Sequence, residues 1–335
     1  MCESLSYRYY CHSEHMPDML RMRRPLEETV LGTVMGGKHA LIRGFPRIGK
    51  STLMQAVLSK TRSAGRTIYF SLKDVKSKED LEQLIEKDIE CLSSSMNLKV
   101  TVDPENPIAA FRWLGRRVFL AIDDIDSLSV LEEGQIADAL RKLRDPPENV
   151  HLMLSSMMNS RMDAVLDQEL GPGFRSFVVP QLMESETNYL VREPARWHSI
   201  GYRTAAVERI AELSGNRPWE ICLACYLVTA VLEQHNYILP DMTVTAEQVD
   251  SIVNLQLLKE DVVGRTMLER YTYLLDEGVN PAERRVLDKL TTGVTFDKSD
   301  HPSAERLQEY AVIRGMAING AMLHDVLAEK NSIEI

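Results

Sequence analysis

The sequence predicts an α/β fold in which a parallel sheet is covered by helices, followed by helical segments and a small C-terminal module. Two observations predict the sheet. From about residue 21 to residue 180, short apolar runs alternate with stretches of helical period, as parallel strands joined by crossover helices require. One of these runs leads straight into a glycine-bounded loop and a helix former, "RGFPRIGKSTLMQAV" (43–57).

The elements follow in order. Residues 1–20 are polar and aperiodic and read as an N-terminal arm. Residues 21–180 form the α/β core. Its strands are expected at "HALIR" (39–43), "RTIYFSL" (66–72), "RVFLAID" (117–123), "VHLMLS" (150–155) and "SFVVP" (176–180). Its helices are expected at 50–63, 77–95 and 132–144.

The strand signal fades after Pro180, and residues 181–275 read as an all-helical domain. Ser185-Glu186 starts one helix, Gly215 stops another, and Thr245 is an N-cap candidate. Residues 276–335 read as a winged-helix-like module. A helix opens near Pro281, "SAERLQEYAVI" is a second, "VIRGMAINGAML" holds two short runs around a turn, and "AMLHDVLAEK" returns to helical period.

Composition narrows the function classes. The chain has 335 residues, enough for two or three domains, and a formal net charge of −10. That charge excludes a uniformly basic nucleic-acid coat. Five scattered cysteines do not form a disulfide framework, and Cys222 and Cys225 read as small core residues of a helix. No signal peptide and no membrane-length apolar run is visible, so a soluble cytoplasmic protein is the expectation.

Gly44-Phe45-Pro46-Arg47-Ile48-Gly49-Lys50-Ser51 matches G-x-x-x-x-G-K-[ST] in full, with Thr52 following. The glycines let the loop curl so that backbone N–H groups face phosphate oxygens, and the helix start adds its positive end. Lys50 is placed to reach the β- and γ-phosphates and the Ser51 hydroxyl to ligate Mg²⁺. Such a loop needs a carboxylate at the tip of another strand. "RRVFLAIDDIDSL" supplies it: Asp123 to hold Mg²⁺, directly or through water, and Asp124 to orient or deprotonate the attacking water. Asp126 reads as a helix N-cap or a solvated acid.

With these motifs on the page, the chain resembles the AAA+-related signal-transduction ATPases with numerous domains (STAND) and the archaeal-type ATPases allied to origin-recognition proteins, over roughly residues 21–330. The family loop is often G-x-R-R-x-G-K-[ST], and Pro46-Arg47-Ile48 occupies that place. The resemblance implies a P-loop AAA+-like core, a helical lid and a winged helix, with ATP and Mg²⁺ as ligands. Adenine follows from the resemblance, no guanine-reading N-K-x-D motif being present.

It also implies further roles. Ser155-Ser156 stands where the family has a Gly-Ser pair, making Ser156 a γ-phosphate sensor; an ordinary strand end is the rival reading. Arg175 stands where an arginine precedes the fifth strand and reaches a neighbouring subunit's nucleotide; a surface arginine after a Gly-Pro-Gly turn explains it equally. Gly215-Asn216-Arg217-Pro218 matches the lid's Gly-x-x-Pro motif, with Arg217 and Pro218 near the phosphates; a plain helix start is the rival. Arg24 in "RMRRP" matches a pre-strand arginine near the adenine, or belongs to a solvated basic cluster.

Two functions fit. One is a STAND-like switch whose nucleotide state sets domain orientation and assembly with itself or a protein partner, as in microbial signalling or defence. The other is an origin-recognition-like or transposition-type ATPase that loads on DNA through its winged helix. Residues 276–335 hold seven Lys/Arg against eleven Asp/Glu, or 7 − 11 = −4, which disfavours DNA. A third reading, an inactive nucleotide-binding scaffold, is opposed by the intact Lys50, Ser51, Asp123 and Asp124.

Overall fold

The computed structural model describes residues 23–73, 116–130, 133–196, 199–234, 242–254, 261–310, 312–314 and 317–333, with 83, 111–112 and 258–259. The expected arm 1–20 and, Gln83 excepted, the expected helix 77–95 lie outside them. The chain forms two compact units, one of Arg23–Gly44 with Lys50–Val179, the other including Phe45–Gly49 and Pro180 onward.

The first unit is built on a five-stranded parallel sheet. Its strands are β1 (His39–Gly44), β2 (Arg66–Ser71), β3 (Val118–Asp123), β4 (Val150–Met157) and β5 (Phe174–Val178), in the order β2-β3-β4-β1-β5. All six residues of β3 are buried, while edge strands β2 and β5 carry exposed positions, as expected when helices cover both faces of the centre. Helices α1 (Arg24–Met35), α2 (Lys50–Thr61), α3 (Glu133–Arg144) and α4 (Ser160–Leu170) belong to this unit. Asn159 caps α4, its side chain accepting from Arg161 N and Met162 N. The buried Glu27 of α1 pairs with Lys60 of α2 at 2.8 Å and fixes the helix that follows the loop. The fifth strand starts at Phe174 rather than Ser176, so Arg175 lies inside it and pairs with Ala40. Arg175 and Ser176 interrupt the apolar run and hide the start, because an edge strand needs no continuous apolar run.

The second unit carries α5 (Glu184–Arg196), α6 (Thr204–Ser214), α7 (Pro218–Gln234), α8 (Ala246–Ile252), α9 (Val262–Tyr273), α10 (Pro281–Thr291), α11 (His301–Glu309) and α12 (Ala321–Ile333). Gly215 ends α6 in the left-handed conformation, φ 60°, and Thr245 starts α8 with a capping box. Cys222 and Cys225 are buried on α7 and form no disulfide with each other. Residues 181–275 are not all helical: β6 (Ile200–Tyr202) and β7 (Met242–Val244) form a parallel pair. Three residues are too few to show a period of two. The expected C-terminal hairpin is present as antiparallel β8 (Ile313–Arg314) and β9 (Ala317–Ile318), between α11 and α12. The winged-helix-like arrangement of helices and hairpin therefore stands.

Candidate functional site

The phosphate loop is shaped by two positive φ angles. Gly49 sits at φ 100°, free of cost to a residue without Cβ, whereas Arg47 at φ 56° is held there against its own preference. Non-glycine residues in this region cluster at functional sites. Ile48 N donates to Phe45 O at 3.2 Å and tightens the curl. Lys50 opens α2, is 5% exposed, and donates from Nζ to the Gly44 carbonyl at 3.3 Å. The same carbonyl accepts from Met158 N at 3.1 Å, which ties the tip of β1 to the end of β4.

The strand order sets the acids beside this tip. Strand β4 lies between β1 and β3, so the end of β4 separates Gly44 from Asp123. Asp123 is 1% exposed, and three donors fix its carboxylate. Ser155 Oγ and Asp124 N donate to Oδ1, the latter at 3.1 Å, and Tyr69 OH donates to Oδ2 at 2.5 Å. Asp124 follows at φ 57°, a second strained backbone position, with its carboxylate accepting from Ser71 Oγ at 3.0 Å.

Burial, then the neighbouring Asp123 charge, raises the pKa of Asp124 above the ordinary carboxylate value; Ser71, Lys50 and Lys73 pull it back. An acid poised upward in this way is suited to accept a proton from water. Burial first, then the hydrogen bond to Asp123, pushes the Tyr69 phenol well above its usual value, so it stays a donor. The oxygens of Ser51 and Asp123 could hold Mg²⁺. A hydroxyl from Ser51 and a carboxylate from Asp123 are hard oxygens, and Mg²⁺ takes one or two protein ligands where phosphates supply others.

Several expectations need correction. Asp126 is neither a helix cap nor solvated. It is 3% exposed and accepts from Met157 N at 2.7 Å, tethering the end of β4. Of the serine pair, Ser155 faces the acids, and Asp124 N also donates to its Oγ at 3.2 Å. The Ser156 hydroxyl donates to the Met157 carbonyl instead, because successive strand residues face opposite ways.

Arg217, expected at the phosphates, is fully buried with its guanidinium held inside the second unit. It donates to Glu220 Oε1 at 2.7 Å, Asn319 O at 2.6 Å and Tyr271 OH at 3.0 Å, and stacks over the Phe45 ring at 4.7 Å. Burial works against its charge, and Tyr271 and Glu220 more than offset that. Pro218 is the first residue of α7, as a helix start requires. Arg47 stacks over Trp219 at 4.9 Å, so two loop side chains rest on residues that open α7.

Arg175 is exposed on edge strand β5, its guanidinium 5.1 Å over the Phe177 ring, and its register partner Ala40 is near the amino end of β1. That is the end away from Gly44. Arg24 is exposed and pairs with Glu28 at 3.6 Å, one turn along α1, as a solvated cluster would. Sequence reasoning missed Tyr69 and Ser71. Their signal is positional: β2 runs in register with β3, with Ser71 opposite Asp123.

No family profile and no curated protein matches the chain. Solved structures do. It is similar to the Walker-type ATPase of Pyrococcus abyssi at 14% identity and a TM-score of 0.59, covering 91% of this chain and 95% of that one. The Aeropyrum pernix ORC2 protein, solved as ADPNP–ADP complexes, matches at 12% identity and a TM-score of 0.51, over 97% and 98%. The Aeropyrum pernix ORC1 protein in complex with DNA matches at 15% and 0.50, over 96% and 94%. At these identities the likeness is one of fold: a five-stranded parallel sheet flanked by helices, followed by further helices and a short hairpin. Among the described residues, no helix is long and apolar enough to cross a membrane.

Proposed function

We propose that this chain is a Mg²⁺-dependent ATPase whose nucleotide state governs its domain orientation and its assembly with itself or a protein partner. The observation that carries this reading is the acid pair at the end of β3, one strand removed from the loop that ends β1. Asp123 is locked by three donors, and Asp124 is raised in pKa by burial and pulled back in part by Lys50. Lys50 would neutralise charge on the β- and γ-phosphates, and the loop N–H groups would cradle them. Asp124 would hold water in line and take its proton. Bound Mg²⁺ would supply charge neutralisation across the phosphates, held by Ser51 and Asp123.

The switch part rests on Phe45 and Arg47. Both lie in the phosphate loop, and their side chains stack on Arg217 and Trp219. A loop that reshapes around a γ-phosphate would disturb those stacks, which gives the bound nucleotide a handle on the second unit. The STAND-like and origin-recognition-like versions differ in output, and the ORC likenesses support the second at least as well as the first. Charge in the C-terminal module favours a protein output. Arg284, Lys289 and Arg306 are each paired with acids of the same module, Asp288, Asp297 with Asp300, and Glu283. They are poorly placed to grip phosphates as well.

The test is the oligomeric state by light scattering with ADP and with a non-hydrolysable ATP analogue. The reading predicts different masses or hydrodynamic radii in the two states, and identical values with saturating nucleotide would overturn the switch. A duplex DNA shift at nanomolar to micromolar concentration, weakening with salt, would favour the DNA-loading version.

A further inference from the structure

We propose that Tyr69 is a positioning residue for the magnesium site, holding Asp123 Oδ2 in the orientation that a metal ion shared with Ser51 needs. The inference rests on the Mg-ATPase reading and assigns a role to a residue outside both sequence motifs. The phenol donates to Asp123 Oδ2 at 2.5 Å. A carboxylate oxygen fixed by one donor keeps a lone pair for a hard cation.

The carboxylate is fixed from its other oxygen by Ser155 and Asp124 N, so Tyr69 supplies the donor that fixes Oδ2. Strand register explains the reach. Tyr69 pairs with Ala121, two residues before Asp123, and its ring spans that distance along the sheet. A shorter side chain at 69 would not reach. The ring is 36% exposed, which is high for a packing role and usual for a side chain at the lip of a site.

Outer partners of metal ligands tune metal affinity by about 10-fold to 100-fold. The experiment is a Mg²⁺ titration of a fluorescent N-methylanthraniloyl-ADP complex with wild-type protein and Tyr69→Phe, reading bound nucleotide by fluorescence. Tyr69→Phe removes one oxygen from a half-exposed ring, and a melting curve without nucleotide checks that it folds. The inference predicts equal nucleotide affinity without Mg²⁺ and a half-saturating Mg²⁺ concentration about 10-fold higher in the variant. A half-saturation unchanged within about 2-fold, set against the shift expected for a lost outer partner, overturns the inference. So does a lower value, which would make the phenol a competitor of the metal. Wild-type protein that binds no nucleotide at any Mg²⁺ concentration overturns the ATPase reading first and the inference with it.

Discussion

Replacing Arg217 with methionine discriminates most sharply between a phosphate contact and a structural lock. Methionine keeps an unbranched aliphatic stem in the same space, so the perturbation is the loss of charge and donors. Glu220 is 1% exposed, and its Oε2 makes no hydrogen bond among the described residues. Without Arg217 its charge is left with the Tyr271 hydroxyl at 3.0 Å. Removing one partner of a buried pair costs about 3–5 kcal/mol, and the lost stack on Phe45 acts in the same direction. The urea midpoint of unfolding, followed by tryptophan fluorescence, should fall by more than about 1 M. The double variant Arg217→Met with Glu220→Leu should recover most of the loss, because no buried charge remains. A midpoint within about 0.3 M of wild type, joined to a large loss of ATP affinity, would refute the lock and restore the phosphate contact.

Four further outcomes follow from the same geometry. Gly320 at φ 97° would place a Cβ 2.8 Å from Gly215 N, so Gly320→Ala should destabilise by more than about 1 kcal/mol in urea unfolding. Gly32→Ala, in the open interior of α1, should stabilise by about 0.4–1 kcal/mol. Burial lowers the pKa of His39 and of His151 below 6.5; charge on His151 adds to the first effect and Arg117 to the second. Below pH 6.5 the unfolded chain then binds protons that the folded chain refuses, so stability should fall as pH drops through that window and be flat above it. His151→Phe should flatten the acid limb of midpoint against pH. With Asp124 as base, the acid limb of the turnover profile should lie above the ordinary carboxylate value of 3.8, and disappear with the activity in Asp124→Asn.

What was legible in the sequence is what is local. The phosphate loop has fixed spacing, and the acid strand ends its own apolar run, so both could be read without contacts. The helix caps at Gly215 and Thr245 are local signals too. Arg217 was not legible, because Tyr271 and Asn319 lie 54 and 102 residues away. Ser155 and Ser156 differ only in which face of β4 they occupy, and the strand's phase depends on its neighbours in the sheet. Tyr69 looked like strand filling, since its hydroxyl meets Asp123 only through the β2–β3 register, 54 residues apart. The β6–β7 pair is three residues long, and pairing rather than composition makes it.

Phosphate release from ATP by wild-type protein, Lys50→Ala and Asp124→Asn, with and without Mg²⁺, tests the account most directly. The prediction is Mg²⁺-dependent release by the wild type, loss of nucleotide binding in Lys50→Ala, and retained ATP binding with turnover reduced at least about 100-fold in Asp124→Asn. Asp124→Asn that turns over ATP at the wild-type rate, or a wild type that binds Mg²⁺ and ATP but releases no phosphate in any assembled state, would contradict it.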